Sequence, residues 1–242
     1  MGLTGNGDGA LRCQKERRST LPRAPRLPLR SWAALVLFAG ACASMRTTEV
    51  LRPAQPISRV VIESDGGDLR VQAGPTLELT RQVRGLEAAL TLSERVEGDA
   101  LVITARCLPM LPCGVDLALS APEGVSVVAR LGHGDVVVSG VDALSLDLGA
   151  GAARLSVGGA LVARVGVGSL SATVPGGATV RGAVADGDAT VETAPGPRPM
   201  RISAARVDLQ GVSARDEGPG ALELTAPAGV ARVIGVSALA DR

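Results

Sequence analysis

The chain has almost no aromatic side chains. Its 242 residues include one Trp, one Phe, no Tyr and a single His. Trp32 and Phe38 lie in an N-terminal segment that we predict below to be removed, which leaves His133 as the only aromatic ring. Single-stranded nucleic acids need stacking platforms, and sugar rings commonly stack on Trp or Tyr. The composition therefore argues against the first ligand class and weakens the second.

Basic charge is also scarce beyond the N-terminus. Seven of the 25 basic residues and two of the 24 acidic residues fall within residues 1–41, so 18 basic and 22 acidic residues remain, with a net charge of −4. A nucleic-acid partner requires a basic surface that neutralises phosphates. We expect no nucleic-acid partner.

Cysteines are few. Cys13 lies in the N-terminal lead and Cys42 follows it, leaving Cys107 and Cys113 in CLPMLPC. In an oxidising compartment this pair predicts a disulfide that closes a short loop, with free thiols as the alternative. A zinc site takes about four ligands, which one lone histidine does not complete. We expect no cofactor and no metal.

The chain has one uninterrupted hydrophobic run before its strands, SWAALVLFAGA at residues 31–41, and a basic lead precedes it. This arrangement is typical of a secretory signal and is too short for a stable membrane-spanning helix. We predict that residues 1–41 are a signal peptide. The lead is long for such a segment, which is consistent with a true start codon downstream of Met1.

The small residues Ala39, Gly40 and Ala41 precede Cys42, as in the bacterial lipobox. We predict that Cys42 is lipidated and anchors the protein in a membrane, whereas the alternative is ordinary cleavage that leaves a free thiol. Ala43 stands where an aspartate would signal inner-membrane retention, so we expect the outer membrane of a two-membrane bacterium. Residues 42–56 are predicted to be a flexible tether.

Three successive segments align at a spacing of 17 residues: VVARLGHGDVVVSGVD from 127, LSLDLGAGAARLSVGG from 144 and LVARVGVGSLSATVPGG from 161. Apolar residues alternate with other residues on both sides of a G-x-G pair, which predicts strand, turn, strand. The aligned glycines are Gly132, Gly149 and Gly166, followed by Gly134, Gly151 and Gly168.

Gly-Asp pairs recur at Gly67-Asp68, at Gly134-Asp135 and at Gly187-Asp188. Glycine supplies the positive φ that tight corners need, and aspartate bonds to nearby backbone amides. His133 lies between two glycines, in a column whose other members are Ala150 and Val167. We therefore interpret it as a turn residue; a catalytic or metal-binding role is the alternative.

The short repeat predicts an all-β fold, a right-handed β-helix-like solenoid of stacked strand–turn–strand units over residues 57–242. Small inward residues suit a narrow solenoid core. Further strands are expected at 76–83, 88–96 and 114–124, two more coils at 200–211 and 221–236, and a loop or an insertion between coils at 195–199.

The succession of GDLRV, the cysteine-bracketed loop, LALSAPEGVSVVA and GHGDVVVSG resembles a bacterial family of uncharacterised β-strand-repeat domains. These domains of unknown function carry the label "putative adhesin", and many are lipoproteins. The resemblance covers roughly residues 57–242 and implies a solenoid-like fold without catalytic residues. Ala152 and Ser169 depart from the pattern, because they replace its aspartate.

The leading hypothesis is a non-enzymatic envelope lipoprotein in surface structure or adhesion, with an envelope protein or glycan as partner. A polysaccharide-processing enzyme is the alternative, since Asp68, Asp135 and Asp188 would form a row if their segments stack in register. A periplasmic sensor or regulatory partner of a membrane signalling system is a third hypothesis. Calcium binding by the Gly-Asp corners is a fourth.

Overall fold

A computed structural model describes residues 45–50, 55–85, 87–109, 113–215 and 220–237. These residues contain the short 3-10 turn Glu87–Ala89 and no α-helix. The strands are β1 (Met45–Val50), β2 (Arg59–Ser64), β3 (Leu69–Ala73), β4 (Glu78–Gly85), β5 (Leu90–Glu97), β6 (Ala100–Cys107), β7 (Cys113–Ala121), β8 (Ser126–His133), β9 (Val136–Thr173), β10 (Val180–Thr193), β11 (Gly196–Gln210), β12 (Val212–Arg215) and β13 (Leu222–Gly235). The all-β prediction is confirmed.

The strands form one open, mixed sheet of 13 members. In its N-terminal part, β4 pairs antiparallel with both β1 and β7, and β5 pairs antiparallel with β6. The remaining pairs are parallel, among them β8 with β9, β9 with β10, and β10 with β13. Among the described strands, antiparallel pairing therefore occurs only in the N-terminal part of the sheet, and the other pairs are parallel.

The parallel strands pair in register, so that apolar residues lie opposite apolar residues. Val127 lies opposite Leu144 and Leu131 opposite Leu148, in each case 17 residues further along the chain. Burial alternates along these strands because successive side chains of a strand point to opposite faces. One face is thus a continuous core of Val, Leu, Ile and Ala, and Leu144, Leu146 and Leu148 in it are at most 3% exposed.

Strand order departs from chain order at the C-terminus. The last strand, β13, lies between β10 and β11 and pairs parallel with both of them. Of the two alternatives for 195–199, the loop is wrong from Gly196 onward, because residues 196–199 begin β11 and pair with β12. Pro197 and Pro199 are tolerated in β11 because residues 196–199 pair on one side only, with β12, whereas the pairing of β11 with β13 begins at Met200.

One arginine is buried in this C-terminal part. Arg198 is 4% exposed, and its Nη2 donates to the carbonyl oxygens of Ala178 at 3.0 Å and Gly220 at 2.6 Å. Its Nε donates to Gly220 O at 3.1 Å, and Nη1 donates to the hydroxyl of buried Thr193. Desolvation lowers the pKa of Arg198 from its ordinary value. The guanidinium thus links the segment entering β13 to β10 and to the segment before it.

The N-terminal predictions fall mostly beyond these ranges. The signal peptide at 1–41 and the lipidation site Cys42 lie outside the described residues. Within the segment predicted as a tether, Met45–Val50 form β1, whose backbone pairs with β4, so this part is a strand. Among the described residues, none belongs to a helix with the length and apolar character needed to cross a bilayer.

Candidate functional site

The corners between strands are places where the backbones of neighbouring strands almost touch. Gly134 and Gly151 have φ values of 133° and 141°, which L side chains rarely adopt. A Cβ on Gly151 would lie 1.9 Å from Gly134 O, and one on Gly134 would lie 2.0 Å from Gly67 O. Positive φ values also occur at Gly67, Gly168 and Gly187.

The first glycine of each pair has a different role. A Cβ on Gly149 would lie 2.3 Å from Gly132 O, and one on Gly166 would lie 2.4 Å from Gly149 O. Their φ values, like that of Gly132, are not among the positive ones, so the close approach of the next strand is what favours glycine there.

The aspartates of the corners bond across strands. The amide N–H of Asp135 donates to the carboxylate of Asp68 at 3.1 Å, and the amide of Ala152 donates to that of Asp135 at 3.1 Å. Asp188 likewise accepts from the amide of Val230 at 2.8 Å. Each carboxylate therefore accepts a hydrogen bond from the backbone of the neighbouring segment.

Two members of this row were not expected from the sequence. Asp116 accepts the amide N–H of Asp68 at 2.9 Å, which extends the row by one strand. Arg84 contacts the carboxylates of Asp116 and of Asp68, the latter at 3.2 Å. The hydrogen bond to Asp116 raises the pKa of Arg84. Asp116 follows Val115 rather than a glycine, so the Gly-Asp pattern does not mark it, and nothing in the sequence pairs Arg84 with it.

His133 is exposed and its ring lies over Gly66, where a Cβ would come within 2.2 Å of Cε1. Its carbonyl oxygen accepts the amide N–H of Gly67 at 3.1 Å. The imidazole borders an open groove of about 380 Å³ together with Asp68, Arg84 and Cys113. In the described part of the chain, no group of three or more His, Cys, Asp or Glu side chains is placed to hold a metal ion.

The predicted disulfide between Cys107 and Cys113 is formed and joins the end of β6 to the start of β7. Beside it, the carboxylate of Asp65 accepts the Cys107 amide at 2.9 Å and Arg106 Nη1 at 2.7 Å. The pKa of Asp65 lies below its ordinary value, mainly because of the hydrogen bond from Arg106. The hydrogen bond from the Cys107 amide and the charge of His133 lower this pKa further, whereas desolvation of the carboxylate raises it.

The residues around His133 thus comprise a row of bonded carboxylates, the two arginines Arg84 and Arg106, one exposed imidazole and one disulfide. Asp116 lies on β7, and Asp68 and Asp135 directly precede the neighbouring strands β3 and β9, so hydrogen bonds link the three acids in a row. Asp188 lies apart from them, opposite Ser169 on β9. The arrangement can present charge and hydrogen-bond donors to a ligand, and its carboxylates are already engaged with backbone amides.

No family model and no curated protein matches the chain. Among solved structures, it is similar to a putative cell adhesion protein from Clostridium sporogenes, at 10% identity and a TM-score of 0.44, over 80% of this chain and 100% of that one. It is also similar to putative adhesins from Bacteroides fragilis (12% identity, TM-score 0.32) and Parabacteroides merdae (7%, 0.28), each over 80% of this chain and 97% of theirs. All three descriptions name adhesion, as does the label of the family that the sequence resembles, but identities and TM-scores this low assign neither fold nor function to the chain.

Proposed function

We propose that this chain is a non-enzymatic bacterial envelope protein whose residues 57–242 form a β-solenoid with a surface-structural or adhesin-like role. The observation that carries the proposal is the close in-register stacking of the glycine corners, with backbones too near for any Cβ. A stack of this kind is a regular scaffold that offers long repeated faces to a protein or glycan.

The parallel pairings support the solenoid. Strand β9 continues for 38 residues through several corners, and pairs with β8 before it and β10 after it. From β10 the pairing continues to β13 and then β11, with Val180, Leu222 and Met200 in one column. Parallel strands lie about 4.8 Å apart, so each added strand lengthens the scaffold by that amount.

The membrane attachment is proposed from the sequence: residues 1–41 direct export, and a lipid on Cys42 holds the protein in the outer membrane. Metabolic labelling with palmitate tests this directly. We expect label in the wild-type chain and none in Cys42→Ala. Equal labelling of both, or recovery of the wild type in the cytosolic fraction, would overturn the attachment.

A deletion strain tests the role. If the protein acts in surface structure or adhesion, its loss weakens attachment to surfaces or the barrier function of the envelope, and a plasmid copy restores it. The matched control is a copy carrying Gly177→Ala, a position where a Cβ meets no atom within 4 Å. A deletion strain with unchanged attachment and an unchanged envelope would refute the role.

One observation favours a second candidate, a polysaccharide-processing enzyme. Asp68 and Asp135 directly precede the neighbouring strands β3 and β9, and Arg84 contacts Asp68. Catalysis of glycan cleavage commonly uses paired carboxylates. The candidate predicts that Asp135→Ala abolishes an activity that the wild type shows on a panel of acidic glycans, whereas the structural role predicts no activity for either and a lower melting temperature for the variant.

A further inference from the structure

Two adjoining grooves on the outer face of the C-terminal strands have a basic lining. The larger measures about 680 Å³ and includes Arg181, Arg201 and Arg215. The smaller measures about 310 Å³ and includes Arg164 and Arg181. Because both contain Arg181 and Glu223, they form one continuous surface feature. We call the four arginines the arginine track.

The lining of the track has more positive than negative charge. Glu223 is its one acid among the described residues, and its carboxylate lies 3.6 Å from Arg181 Nε. Arg201 lies opposite Glu223 on the other side, in register between β11 and β13. The side chains of Arg181 and Glu223 are 70% and 57% exposed, so water screens their attraction. One screened carboxylate leaves most of the cationic charge available.

The arginines lie across the strands rather than along one of them. Arg164 is on β9, Arg181 on β10, Arg201 on β11 and Arg215 on β12, with β13 between β10 and β11. Four spacings between neighbouring strands amount to about 19 Å. A ligand that contacts the whole track is therefore extended and carries negative charge at several points along its length.

We propose that the arginine track binds a linear glycan whose sugars carry carboxylates. Guanidinium groups hold carboxylates with paired hydrogen bonds, and recognition of this kind needs no aromatic platform. Residues 42–242 have no Trp, Tyr or Phe on which the bases of a nucleic acid would stack. The inference rests on the proposed function, because an envelope protein is one that meets such glycans.

Two matched double variants of the full chain test the proposal. Arg181→Gln with Arg201→Gln removes two charges from the track. Arg70→Gln with Arg154→Gln removes two exposed charges on β3 and on β9 outside it. Both variants retain the seven basic residues of 1–41, so any binding by that segment is common to them.

The probe is a polygalacturonate oligomer, and titration calorimetry at low and at physiological salt measures its binding. We expect the wild type to bind more weakly as salt rises. The track variant is expected to bind about tenfold more weakly than the wild type, and the control variant within about twofold of it. Neutral dextran is expected not to bind. Both variants should melt at the wild-type temperature, since the substituted side chains are exposed.

Three outcomes would overturn the proposal. One is no binding of polygalacturonate by the wild type at low salt. Another is an equal loss in both variants, which would indicate general charge attraction. The third is equal or tighter binding of a single-stranded DNA of the same charge. If the deletion strain shows its envelope phenotype and the track variant restores it fully, the glycan proposal fails while the proposed function stands.

Discussion

The close stacking of the corners makes a prediction that separates two reasons for glycine. Substitution to alanine at four positions gives each combination of a positive φ and a close neighbour. Gly177 has neither feature, and Gly196 has a φ of 118° with no atom within 4 Å of a Cβ. We expect Gly177→Ala to change the free energy of unfolding by less than about 0.5 kcal/mol. Gly196→Ala should lower it by about 1–3 kcal/mol through backbone strain.

At the other two positions, Gly166 and Gly168, an added Cβ would clash with a neighbouring segment of β9. A Cβ on Gly166 would lie 2.4 Å from Gly149 O without a positive φ, and one on Gly168 would lie 1.9 Å from Gly151 O at a φ of 135°. Real Cβ contacts are essentially never closer than 3.0 Å, so Gly166→Ala must push two neighbouring segments of β9 apart by at least 0.6 Å. Overpacking of this kind costs about 1–3 kcal/mol, and Gly168→Ala, which adds strain, should cost about 3–5 kcal/mol.

Urea unfolding followed by circular dichroism measures the four free energies, with the midpoint and slope fitted for each variant. The order of stability should be Gly177→Ala first, then the two variants with one feature each, and Gly168→Ala last. If Gly166→Ala is as stable as Gly177→Ala, the segment of β9 that contains Gly149 is not in contact with Gly166 at this corner. The solenoid proposal would then lose the observation that carries it.

Three further perturbations test the described contacts. Arg198→Met leaves the carbonyls of Ala178 and Gly220 without their donor and should lower the free energy of unfolding by about 2–4 kcal/mol. The exposed control Arg206→Met should change it by less than about 0.5 kcal/mol. If Arg198→Met is more stable than the wild type, the desolvation of the buried charge outweighs the hydrogen bonds that it makes. Replacing Cys107 and Cys113 by serine should cost about 2 kcal/mol, given the sequence separation of 6, and should remove the effect of reductant on the melting temperature; a variant still sensitive to reductant would contradict this. Asp65→Asn should cost less than about 1 kcal/mol at neutral pH because the Asp65 side chain is 39% exposed. Because the pKa of Asp65 is lowered in the folded state, its ionised carboxylate stabilises the protein above the ordinary pKa of 3.8, and this stabilisation is lost as the pH falls below that value. The difference in free energy of unfolding between wild type and Asp65→Asn should therefore shrink in acid. A free-energy difference that does not depend on pH would exclude the ionised carboxylate of Asp65 as its source.

The sequence predicted most strands because alternation of burial is a local property. Residues 76–83, 88–96 and 114–124 were expected to be extended, and β4, β5 and β7 lie there. Stretch 195–199 was misjudged because its prolines and glycine are typical of loops, yet a short edge partner, β12, is enough to hold it as a strand.

The corner glycines were found for a similar reason, since they recur every 17 residues, and the aspartates were found because each directly follows a glycine. Arg84 and Asp116 were not, because they reach the corner through pairing of segments far apart in the chain. Arg198 was missed for a third reason. Arginine is almost never fully buried unless it is paired, and no local pattern indicates that two carbonyls and a hydroxyl will enclose one.

The position of β13 was the least predictable feature, because alternation identifies a strand without naming its neighbours. Charge supplies a physical reason for the observed order. Arg181 and Arg201 occupy one column, and direct pairing of β10 with β11 in this register would place the two guanidinium groups opposite each other. Like charges directly opposite destabilise a sheet. With β13 inserted, Glu223 stands between them, while Arg198 binds Gly220, two residues before that strand begins. The same insertion that relieves the repulsion spaces the arginines along the outer face, so the strand order and the proposed glycan site have a common origin.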